Sequence, residues 1–135
     1  TKIIKVTKGV QWSWFDKNQK NKLFLHQYQV EELSNRMGLR LFGNAIKTNR
    51  ENEITTAGIS LGSIQIPGGG QPIISFVEHQ TTGGYPIIAN VISADIRKVG
   101  QLKAGDCFQF ELISLGSAEK LKVDQEKFIH NLQHD

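Results

Sequence analysis

Ile59-Ser60-Leu61-Gly62-Ser63-Ile64-Gln65-Ile66-Pro67, followed at once by Gly68-Gly69-Gly70, decides the fold class. The nine residues read with a period of two, the pattern of a strand with one face buried. The proline and three glycines stop that strand in a turn. Downstream, 72–77 is a short apolar run suited to a strand buried on both sides. Residues 78–86 are polar and carry glycine, and 87–92 is a second apolar run. Upstream, 34–43 and 23–30 alternate again, with polar loops expected at 16–22 and 44–53. Segment 2–10 sets Ile, Ile, Val and Val among lysines and reads as an edge strand with lysines facing water. Residues 11–15 hold both tryptophans and a phenylalanine, and predict a short turn or helix pinned to the core by its rings.

The far end follows the same reading. Ser93, as N-cap, with Asp95 in the first turn, predicts a short helix reaching Gln101. A turn at 103–106 leads into a last strand, 107–115. From Ala118 the apolar spacing becomes helical, with Ser117 as the expected cap. Many short strands broken by Gly and Pro imply a mainly β barrel or sandwich rather than a parallel α/β sheet. The expected organisation is a lobe over 1–117 and a helical tail over 118–135.

A chain of 135 residues is the size of one domain and long enough to bury a core without disulfides. Its net charge is +3, and Lys2, Lys5, Lys8, Lys17, Lys20 and Lys22 crowd the first part. No regular aromatic series is interleaved with them, as single-strand binding needs. The reading is a solvated lysine face without nucleic acid. The lone Cys107 forbids an internal disulfide, suits a reducing compartment and is expected to be a buried structural thiol. No apolar run approaches a membrane span and no leader is evident, so the expectation is a cytoplasmic protein with no membrane partner. The start at Thr1 agrees with a piece of a longer chain.

Chemistry concentrates between Gly62 and Tyr85. Glycines there let backbone approach a ligand and offer N–H donors beside Gln65, Glu78, His79, Gln80, Thr81, Thr82 and Tyr85. That suits a rim for a small molecule bearing amide or carboxylate groups. It equally suits hairpin loops whose polar residues satisfy their own backbone. An unperturbed imidazole changes charge near neutrality, which makes His79 the candidate for moving a proton. Glu78 is its sequence neighbour, but adjacent strand residues face opposite ways, so the two form no dyad. His130 and His134 stand one helical turn apart without the glutamate of a zinc-protease helix, and no metal site is expected. Nucleophile elbow, phosphate loop and dinucleotide fingerprint are all absent.

The segments 34–41 (Ser-Asn-Arg-Met-Gly-Leu-Arg-Leu), 62–67, 71–74 and 80–86, in that order, resemble the biotin-dependent carboxyltransferase-like family. It includes the C component of bacterial 5-oxoprolinase, the Kip antagonist, chains known as allophanate hydrolase subunit 2, and a domain of urea carboxylase. The resemblance covers roughly 3–115. It implies a cyclophilin-like β-barrel that corresponds to the C-terminal half of such a C component. It implies a hydrolase component, inactive as an isolated chain, that acts on a small lactam or amide. Its implied partners are the A-type component and the B-type, kinase-inhibitor-related component of the same assembly. ATP is then used by the assembly. The alternatives are a carboxyltransferase served by biotin on a separate carrier, and a non-catalytic regulatory module paired with the B-type relative. No cofactor is expected on this chain itself. The motif positions carried over are Arg36, Gln65, Gln80, Thr81, Thr82, Gly83, Gly84 and Tyr85 for substrate, and His79 for catalysis. Asn35, Ala57, Leu39 and Phe42 depart from the family's usual Asp, Glu, Tyr and Glu.

Overall fold

Strand alternation here builds a closed surface. The computed structural model describes residues 2–32, 34, 38–50, 58–76 and 84–134. In chain order these form β1 (Lys2–Lys8), a 3₁₀ turn (Trp12–Trp14), α1 (Lys17–Leu25), β2 (Tyr28–Val30), β3 (Gly38–Phe42) and β4 (Ser63–Gln65). Then come β5 (Ile73–Ser75), β6 (Ile87–Val91), a second 3₁₀ turn (Ser93–Asp95), α2 (Ile96–Gly100), β7 (Cys107–Leu112) and α3 (Leu115–His134). The described strands close a barrel in the order β1-β6-β4-β5-β3-β2-β7. Among them, only the β1–β7 seam is parallel; every other neighbour is antiparallel. The mainly β barrel with a C-terminal helix is as expected.

Closure overturns the edge-strand reading of β1. It is paired on both sides, Val6 opposite Val91 of β6 and Ile4 opposite Phe110 of β7. Ile4 and Val6 point into the barrel while Lys2 and Lys8 stay exposed. The interior is filled by alternate residues of every strand, among them Tyr28, Leu41, Ile64, Ile74, Ala89 and Phe108. Phe108 meets Phe110 edge-on at 5.0 Å, and Tyr28 lies 5.7 Å from Phe110, favourable ring geometries.

Residues 16–22 are helix rather than loop. Asp16 caps α1 by accepting the Gln19 N–H at 2.9 Å. Leu23 is fully buried, and Gln109 Nε2 donates to Phe24 O at 2.6 Å, fixing the helix end to β7. The alternation seen over 23–30 is therefore strand only at Tyr28–Val30. The expected cap Ser93 caps nothing. The anchoring falls to Asp95, buried at 4% exposure, whose carboxylate accepts the Lys5 N–H at 2.7 Å and pairs with Lys98 at 3.4 Å. Asp95→Ala leaves that strand N–H without a partner. The expected cost is about 2–3 kcal/mol, read from urea unfolding. α3 begins three residues early, because Ser114 rather than Ser117 accepts the first-turn N–H: Ser117 N donates to Ser114 Oγ at 3.1 Å. Cys107 is exposed, not buried, because Phe108 and Phe110 take the inward positions of β7.

Tyr28 sits inside the barrel and donates its hydroxyl to Asn44 O at 2.7 Å. Burial pushes its phenol well above the ordinary value of 10.0. The neutral form is favoured in the fold, so its contribution is fully present below about pH 10 and is lost as pH rises beyond it. Tyr28→Phe is expected to cost about 1 kcal/mol at neutral pH and to remove this alkaline loss, which melting curves across pH would show. Among the described residues no helix is long and apolar enough to cross a membrane.

Candidate functional site

The strand directions give the barrel two mouths. The upper mouth gathers the ends of β1, β3, β4 and β7 with the starts of β2, β5 and β6; the lower mouth gathers the reverse. The stretch 62–85 is therefore shared between them. Gly62 enters β4 at the lower mouth, where its N–H donates to Ser75 O. Gln65 to Gly70 turn at the upper mouth. β5 returns the chain to Phe76 below, and Gly84-Tyr85 stand above again, before β6.

At the upper mouth, Gln65 ends β4 opposite Ile73 and Ile87. It is half-buried, and its side-chain amide makes no hydrogen bond to the described residues. Ile66 N donates to Pro86 O at 2.9 Å. On the other side, buried Gln11 accepts the Ile87 N–H on Oε1 at 2.9 Å and donates its own N–H to Ile87 O at 3.0 Å. These bonds hold Tyr85-Pro86 between two walls, leaving Tyr85 half exposed and Gly84 half-buried. Gln11 is the positioning residue the sequence did not reveal, since a polar residue beside two tryptophans gives no sign of its partner.

Other motif residues are spent on structure. Gly70 has φ +86°, and a Cβ there would lie 2.9 Å from Ile46 O. Gln71 turns both ends of its amide to Gly43, accepting its N–H at 3.1 Å and donating to its O at 3.2 Å. Leu39 is a core residue facing Ile74. Phe42 is exposed.

At the lower mouth, Gly38 of β3 faces Ser75 of β5. The residues flanking 35–37 and 77–83 thus stand side by side. Ser34 is fixed there, its Oγ accepting the Arg40 N–H at 2.9 Å. Val30, Glu31, Ser34, Leu39, Phe76 and Leu102 line a groove of ≈ 270 Å³. A neighbouring groove of ≈ 510 Å³ shares Val30, Glu31 and Glu32 and adds Gln29, Phe42 and Gly105. Of the expected site residues, Gln65, Gly84 and Tyr85 come together at the upper mouth. Arg36, His79, Gln80, Thr81, Thr82 and Gly83 lie outside the described residues, as do Asn35 and Ala57. Among the described residues no three His, Cys, Asp or Glu side chains cluster closely enough to hold a metal ion.

A closed β-barrel with amide and glycine motifs at its strand ends defines the class, and comparison names it. Residues 1–112 match the family described as carboxyltransferase domain, subdomain A and B. The chain belongs to that family. Among its relatives is the C component of the 5-oxoprolinase of Escherichia coli, 35% identical over 129 residues, covering 96% of this chain and 42% of that protein. The C component of the Haemophilus influenzae 5-oxoprolinase is 33% identical over 131 residues, covering 97% and 42%. The barrel also superposes on the crystal structure of Kluyveromyces lactis urea carboxylase with TM-score 0.84 and 33% identity, covering 96% of this chain and 12% of that one. The chain spans 42% of the length of the oxoprolinase relatives it matches.

The groups that the resemblance brings in do not fit the described residues. The described lining of both lower grooves carries Glu31 and Glu32 and no lysine or arginine, which repels a triphosphate. Among the described residues, the upper mouth offers one unengaged amide and one phenol, too few groups to grip the ureido ring of biotin.

Proposed function

We propose that this chain is a lobe of a 5-oxoprolinase C-type component, acting in the cytoplasm with A-type and B-type partners to open 5-oxoproline to glutamate at the expense of ATP. The observation that carries this reading is the alignment of 96% or more of the chain with the C components of two 5-oxoprolinases. The roles follow from the chemistry of the side chains. A lactam presents one carbonyl and one N–H, which Gln65, Gln80, Thr81 and Thr82 match as donors and acceptors. The N–H groups of Gly83 and Gly84 are assigned to the oxygen that gains charge when the lactam carbon is attacked. Tyr85 closes the rim, and His79 moves the proton that the departing ring nitrogen requires.

The test is reconstitution of the chain with its A-type and B-type partners. ATP-dependent glutamate formation from 5-oxoproline is the expected result, and none above the level of the partners alone sinks the reading. A second reading is carboxyl transfer, favoured by the superposition on urea carboxylase. Transfer of labelled carboxylate from a carboxylated biotin carrier to urea, with no glutamate formed, would select it.

A further inference from the structure

Cationic side chains gather on one face of this protein, arranged around its only two tryptophans. The Trp12 ring packs against Phe24 at 6.2 Å. Two ammonium groups lie over that ring, Lys8 at 5.7 Å and Lys20 at 5.1 Å. Beside it, the Arg50 guanidinium lies 5.0 Å from the Trp14 ring. The segment that carries Arg50 is fastened down: Lys47 N donates to Gln19 Oε1 at 2.9 Å, and the Thr48 hydroxyl and Asn49 N–H both donate to Trp14 O. Lys17 opens α1 on the same side. Near Lys8, Lys17 and Lys20 in sequence, the described carboxylate Asp16 is already engaged as the cap of α1. The whole chain carries only +3. Neither Lys8 nor Lys20 has a described carboxylate within 4.0 Å.

We infer that this face, centred on Trp12, is a docking surface for an acidic segment of a partner protein. Held cations of one sign steer and orient an oppositely charged partner. Single-stranded nucleic acid is the other polyanion such a face invites. It binds by stacking bases on open rings, whereas the Trp12 ring is packed against Phe24 and overhung by two lysines. The surface makes no use of the candidate active-site residues, so it stands whether or not the chain serves an oxoprolinase.

Because both tryptophans lie on this face, the protein's tryptophan emission reports on it alone. An oligo-glutamate peptide titrated into the 135-residue chain at low salt is expected to give a saturable emission change. The double reversal Lys8→Glu/Lys20→Glu is expected to weaken binding by about tenfold or more, and added salt to weaken it progressively. Lys103→Glu and Lys120→Glu, away from the face, are expected to bind as the parent does. Circular dichroism checks that the double variant is folded; if it is not, Lys20→Gln on the outside of α1 is expected to weaken binding by a smaller factor. The inference is overturned by an absent emission change, by unaltered affinity in the folded reversal variant, or by an oligodeoxythymidine that binds as tightly as the peptide.

Discussion

Gly9→Ala is expected to lower the unfolding free energy by about 3–5 kcal/mol, the range reserved for changes that break packed backbone. Gly9 lies where the chain leaving β1 crosses the start of β6. A Cβ at this position would stand 2.6 Å from Ile87 O and 2.7 Å from both Ala89 N and Ile88 C. All three are backbone atoms, so no side chain can swing away. Relief requires the two strands to part, and the Gly9 N–H bond to Ile88 O (2.9 Å) and the double link between Gln11 and Ile87 go with it. This seam also carries the approach to Tyr85-Pro86, so the upper mouth loosens with the fold. In a domain of this size the loss corresponds to a fall in melting temperature of roughly 10–20 °C. Gly68→Ala provides the contrast. Nothing lies within 4 Å of a Cβ there, and its melting point is expected to stay within about 2 °C of the parent. Gly9→Ala melting together with Gly68→Ala would refute the account.

What the sequence discloses depends on whether the cause is local. Alternation revealed most of the strands, because each places every second side chain in the barrel. It could not reveal that β1 is interior. That depends on parallel pairing with β7, about a hundred residues away in sequence, and exposed lysines look the same on an edge strand and on the outer face of a closed barrel. α1 was hidden for a related reason: Lys17–Leu25 has only one buried side chain, Leu23, and so no apolar stripe, and tertiary contact holds it. Asp16 was the one visible sign of a helix start. At the candidate site, Gln65 and Gln71 stand six residues apart, and of the two only Gln65 is carried over to the substrate from the motif. Gln71 is consumed by Gly43, whereas Gln65 keeps its amide unengaged among the described residues, and that difference exists only in three dimensions.

On the proposed oxoprolinase reading, His79→Gln in the reconstituted assembly is expected to lower kcat by about 10²–10⁴-fold, the usual worth of a positioned acid or base. Tyr28, His26 and His130 are badly placed for the task. Tyr28 is sealed in the barrel with its hydroxyl committed to Asn44, and burial holds it neutral. His26 follows α1, remote in sequence from the motif, and His130 lies on α3, beyond the part of the chain that matches the family. Of the four histidines, His79 alone belongs to the motif block. Gln65→Ala makes the opposite kind of change. An uncharged amide in the role proposed for Gln65 contributes to binding in ground and transition states alike, so KM is expected to rise about tenfold with kcat nearly unchanged. Gln71→Ala, removing an amide already spent on Gly43, is expected to reduce stability by about 1–2 kcal/mol and leave the kinetics of the folded enzyme intact. Equal loss of kcat in all three variants would mean that the block serves only to hold the barrel together, and His79 would lose its assignment.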